Sequence, residues 1–96
     1  MKAYQIIYDL RNKRDYRSLK VKLESYGYWA RPLESCWIIA TEHTAEQIRD
    51  NLTAVMDNDD GILVTRLQGE AAWQNLDFDH DGVMTKWLKD NLSKAA

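Results

Sequence analysis

One cysteine, one proline, four glycines and one phenylalanine are all that this 96-residue sequence holds of those types. A single thiol, Cys36, excludes an intrachain disulfide, and no Cys/His group has zinc-ligand spacing. A reducing compartment is expected. No segment approaches the ~18 consecutive apolar residues of a membrane-spanning helix, and the short alternating run after Met1 and Lys2 lacks the longer apolar core of a signal peptide. The expectation is a cytoplasmic protein. Excess positive charge is also missing: the net charge is −2 and the pI about 5.6. That balance excludes a protein that coats nucleic acid through bulk electrostatics. Low-complexity segments are absent as well.

What is present is unevenly placed. The first 34 residues carry eight basic and four acidic side chains, net +4, whereas the remainder carries five basic and eleven acidic, net −6. A basic front on an acidic body fits one polyanion-facing surface. With 45% apolar residues the chain can bury one modest core, and a chain this short gains from oligomerisation. A homodimer is expected.

Residues 3–10 alternate Tyr4, Ile6 and Tyr8 with Ala3, Gln5, Ile7 and Asp9, which predicts a central strand. From Asp15, a fair N-cap, Tyr16, Leu19, Leu23 and Tyr26 recur at helical spacing until Gly27 ends the helix. Residues 28–33 read as a short strand, with Pro32 suiting an edge, and residues 35–41 as the second central strand. Thr44 and Gln47 form a capping-box pattern before Ala45, Ile48, Leu52 and Val55. Asn58, Asp59, Asp60 and Gly61 are turn chemistry, and residues 62–67 a last strand. The order is βαββαβ, an α+β ferredoxin-like plan in which two helices cover one face of a four-stranded antiparallel sheet.

The plan leaves the other sheet face open as an interaction surface for a second copy or a protein partner. The ferredoxin-like domain is expected over residues 1–67 and a C-terminal extension over 68–96. Its short helix, from Val83 onward, would make its apolar contacts through Val83, Trp87 and Leu88, and could cap the open face or pack on a partner.

Tyr8 and Asp9 end the first strand and run into Arg11, Lys13 and Arg14. One carboxylate holds Mg²⁺ poorly, but a two-fold axis near the strand end would let Asp9 from each subunit share a metal that activates water or stabilises a phosphorane. The plain alternative is an Asp9 that caps the next turn or pairs with a neighbouring arginine. Arg11, Lys13, Arg14, Arg17 and Arg31 can seat a phosphate backbone without reading sequence, unless they are only a solvated basic face. Trp29, Trp37, Trp73 and Trp87 can stack on bases, although packing is the simpler use. Residues 77–82 match the first half of an EF-hand loop, but Leu88 stands where the bidentate glutamate of a Ca²⁺ site belongs. An acidic turn capping the last helix is the alternative there.

Tyr8-Asp9, the Arg17-bearing helix, Arg31, and Ser35-Cys36-Trp37 together resemble the small CRISPR-associated adaptation protein family, the dimeric hub of spacer integration. The likeness spans residues 3–67 and is closest to the stand-alone SinR-like relatives; virulence-associated protein D toxins are more distant. The sequence departs at Trp37, where phenylalanine is usual, and has Ile38 and Ile39 in place of a Phe-Glu-Gly continuation. The resemblance implies a ferredoxin-like homodimer with Asp9 as the Mg²⁺-holding carboxylate and Tyr8 beside it. It also implies either a weak metal-dependent endonuclease on RNA or DNA or a non-catalytic scaffold or inhibitor. A small RNase toxin is a third expectation.

Overall fold

A computed structural model describes residues 1–11, 16–77, 79–92 and 94–95, and leaves aside the side chains of residues 80, 94 and 95. The elements are β1 (Lys2–Asp9), α1 (Tyr16–Glu24), β2 (Trp29–Leu33), β3 (Cys36–Thr41), α2 (Ala45–Thr53), β4 (Gly61–Arg66), β5 (Glu70–Ala71), α3 (Val83–Asn91) and β6 (Lys94–Ala95). The first six form the ferredoxin-like plan: an antiparallel sheet of order β2-β3-β1-β4, with the two most apolar strands in the centre.

Strand alternation sorts the side chains into two cores. Tyr4, Ile6 and Tyr8 point to one face, where they meet Trp37 and Ile39 of β3, Leu19 and Leu23 of α1, and Ile48 and Leu52 of α2. The capping box is formed as the spacing predicts. The Thr44 hydroxyl accepts from the Gln47 backbone N–H at 3.1 Å, and the Gln47 side chain accepts from the Thr44 N–H at 2.9 Å. Gly27, at φ +86°, supplies the left-handed residue that turns the chain out of α1. Pro32 lies on edge strand β2, where the pairing with β3 shifts register between Ala30 and Leu33.

The second face is not left open along its whole length. The C-terminal extension turns back and α3 lays Met84 and Leu88, with Leu92 beyond its end, over Ala3, Ala30 and Ile38, with Leu67, Trp73 and Trp87 at the margin. This corrects the expected contact set: Val83 is 69% exposed, and Met84 takes the inward position. The helix begins from Gly82 in a left-handed conformation, and its phase puts residues 84, 88 and 92 rather than 83 on the sheet. The other end of the face stays uncovered. There Ile7, Leu33 and Leu63 are 40%, 48% and 59% exposed. Among the described residues no helix is long and apolar enough to cross a membrane.

Candidate metal and phosphate site at the end of the first strand

Asp9 is the last residue of β1 and pairs with Gly61, the first of β4. Because successive strand residues face opposite ways, Asp9 shares the second sheet face with Ile7, while Tyr8 points into the first core. Asp9 is largely solvent-exposed, and Arg11 Nε donates to its Oδ2 at 3.5 Å.

Arg11 folds back over the start of β4 with its side chain still half-exposed. Its backbone N–H donates to Asp60 Oδ1 at 2.9 Å, and its Nη1 donates to the Asp59 carbonyl at 3.0 Å. The guanidinium lies so close over Gly61 that a Cβ there would sit 2.9 Å from Nη2. Glycine therefore opens the space into which Arg11 folds. The turn itself is closed by Asp60, whose Oδ2 accepts from the Asp57 N–H at 2.8 Å.

That fold-back sets Asp9 beside an acidic turn. One carboxylate oxygen from each of Asp57, Asp59 and Asp60 lies within 4.8 Å of the others, so the three can bind a metal ion together. The Asp9–Arg11 pair does not lock this end, because an exposed ion pair contributes only ~0.2–1 kcal/mol. Asp9 is not one of the three clustered carboxylates; it stands beside them, paired with Arg11.

The remaining candidates are dispersed. The Tyr8 hydroxyl is buried, donates to the Glu34 carbonyl at 3.3 Å and accepts from Trp37 Nε1 at 3.2 Å. Arg31 donates to the same carbonyl through Nε and Nη2, at 3.0 and 2.7 Å, and lies 5.5 Å from the Trp37 ring centroid. Tyr8 and Arg31 thus belong to one network, on the opposite side of the sheet from the Asp9 carboxylate. Arg17 is exposed on α1, where it lines a shallow depression with Ser18 and Val21. Lys13 and Arg14 lie outside the described residues, as does the Asp15 cap. Of the expected set, the structure brings Asp9 and Arg11 together.

The EF-hand-like segment resolves into helix capping. Asp79 accepts from the backbone N–H groups of Met84 and Thr85 at 3.0 and 3.2 Å, and from the Thr85 hydroxyl at 2.7 Å. His43 is held by Thr41, with 2.9 Å between Nδ1 and Oγ1, and meets Tyr26 edge-on. Burial pushes the Cys36 thiol up from its ordinary pKa.

By its sequence the acidic turn reads only as turn chemistry. Its signal was present: three carboxylates in four residues, directly before the strand whose first residue lies opposite Asp9. No protein-family model matches the chain.

Proposed function

We propose that this protein is a homodimer of the CRISPR-adaptation type that acts on nucleic-acid phosphodiesters with the help of Mg²⁺, as a weak endonuclease. The observation that carries the reading is the meeting of Asp9, Arg11 and the Asp57–Asp59–Asp60 turn at one sheet end. A divalent ion there would polarise a phosphate and lower the pKa of bound water. The three carboxylate oxygens lie within 4.8 Å of one another, near enough to share one divalent ion whose remaining positions water would fill. For Asp9 to join them, its carboxylate would have to exchange Arg11 for the ion. Arg11 is then the residue released towards phosphate, while Tyr8 steadies the strand end from the core side.

The homodimer is supported by the exposed strip of Ile7, Leu33 and Leu63, which lies on the same face as Asp9 and stops two residues short of it. Two copies stacked there would bring their Asp9 residues towards the axis. A scaffold reading is favoured by one observation: the Arg11 guanidinium already sits against Asp9. Cleavage of labelled single- and double-stranded RNA and DNA by wild type and Asp9→Asn, with Mg²⁺, Mn²⁺ or EDTA, tests the two. Metal-dependent cleavage lost in Asp9→Asn, with the dimer retained, is expected. Binding without cleavage, or equal cleavage by both proteins, transfers the conclusion to the scaffold.

A further inference from the structure

Three of the four tryptophans meet in one cleft at the β2 edge, on the opposite side of the sheet from β4. Its volume is about 480 Å³, and it runs between β2, the second half of α1 and the start of α3. Trp37 is its buried wall, held by the hydrogen bond to Tyr8. Trp29 leans on Trp37 with 5.0 Å between ring centroids and keeps 36% of its surface exposed. Trp87 faces the cleft from α3, and Lys20, Glu24 and Arg31 complete the lining.

A packing gap between layers explains the buried ring but not the rest. A gap closed by apolar contact would cover Trp29 and Val83, yet Val83 is the most exposed large apolar side chain among the described residues and Trp29 remains open to solvent. The volume falls within the roughly 300–1,000 Å³ of small-ligand sites, which combine apolar walls with a few polar groups that fix orientation. Indole walls favour a flat ring. They also suit a quaternary ammonium, but Lys20 and Arg31 oppose any cation.

We propose that this cleft receives one unpaired nucleobase of a single-stranded nucleic acid, stacked on the indoles of Trp29 and Trp87, with its adjoining phosphate at Lys20. Stacking on indole is tolerant of sequence, and a lysine ammonium offers a point charge to a phosphate oxygen. Glu24, one helical turn from Lys20, can only accept hydrogen bonds when ionised. It therefore favours a base edge with N–H donors, guanine most and uracil or thymine least. An aromatic peptide side chain would also stack, but it supplies neither the anion for Lys20 nor the donors for Glu24. The inference takes its ligand from the nucleic-acid reading above, but needs neither metal nor cleavage.

The test is fluorescence anisotropy with labelled short single strands, guanosine-rich and uridine-rich, and with a duplex, all in EDTA. Trp87→Ala is expected to weaken single-strand binding on the order of tenfold or more while sparing the duplex, and Trp87→Phe to restore most of it. Lys20→Ala is expected to weaken binding and lower the salt slope by about one phosphate contact; Glu24→Ala should erase the preference for guanosine. Lys20 is exposed, so its variant keeps the test informative if Trp87→Ala fails to fold. Equal single-strand binding by wild type, Trp87→Ala and Lys20→Ala overturns the cleft and leaves the nucleic-acid reading standing. No binding of any strand by wild type overturns both, and competition by a tryptophan-containing peptide but not by guanosine monophosphate overturns the choice of ligand.

Discussion

Arg11 is the residue on which the candidate site turns, because the same side chain neutralises Asp9 and ties down the acidic turn. As an exposed pair it adds little stability, so Arg11→Ala should cost no more than about 1 kcal/mol in urea denaturation. Removing the competing cation should nevertheless tighten Mn²⁺ binding in calorimetry, while Asp9→Asn weakens it. Unchanged affinity in both variants would show that Asp9 is no ligand. Tyr8 is the contrasting case, since its hydroxyl sits in the core between Glu34 and Trp37. Tyr8→Phe leaves the buried Trp37 N–H without its acceptor, and we expect a loss of about 1–3 kcal/mol. The Cys36 thiol has a folded-state pKa raised by desolvation, so folding favours its neutral form. That contribution is whole below the thiol's unfolded pKa and is lost as pH rises through the folded one. Only the thiolate is the nucleophile. Alkylation of Cys36 near neutral pH should therefore be slower than in the urea-unfolded chain and should accelerate at a higher pH; equal rates would contradict this.

At the scale of elements, local chemistry decides where prediction from sequence succeeds. The capping box at Thr44 is written in four consecutive residues, and α2 begins where they place it. Thr44→Ala should lower stability by ~0.5–2 kcal/mol, read from the urea midpoint. Period-two alternation in β1 and the apolar run of β3 were equally legible, because a strand's face follows from its own residues. The phase of α3 was not. Its cap is Asp79, which reaches forward to Met84 and Thr85 across a turn containing Asp81 at φ +54° and Gly82 at φ +72°. No local box announces that geometry, so the residue pattern alone points Val83 inward instead of Met84. The candidate site divides the same way. Asp9 stands out as a charge ending an apolar strand, whereas its neighbourhood with residues 57–60 exists only once β4 pairs with β1. Leu88, 2% exposed between α3 and the sheet, tests the docking of the extension. Leu88→Ala should cost ~2–5 kcal/mol and expose the Ala3–Ile38 surface to a hydrophobic dye.

For the whole molecule, the decisive quantity is how much apolar surface the monomer leaves unpaired. Exposed apolar side chains gather in one place, where Ile7, Leu33 and Leu63 continue the second sheet face beyond the reach of α3. A stable interface buries about 800 Å² per partner, more than three side chains supply. The outer edge of β4 beside Leu63, which no strand among the described residues pairs with, has to contribute as well. Lysine at either Ile7 or Leu63 would place a charge in a contact that has no partner for it, so Ile7→Lys and Leu63→Lys should each shift the protein from dimer to monomer in light scattering. Both side chains are outside the two cores, and the thermal midpoint of the resulting monomers should change little apart from the loss of its concentration dependence. If the metal is shared across the axis, cleavage falls with the dimer; if each subunit holds its own ion through residues 57–60, cleavage per subunit survives in the monomer. A dimer that persists in both variants would place the interface elsewhere and remove the argument for paired Asp9 residues.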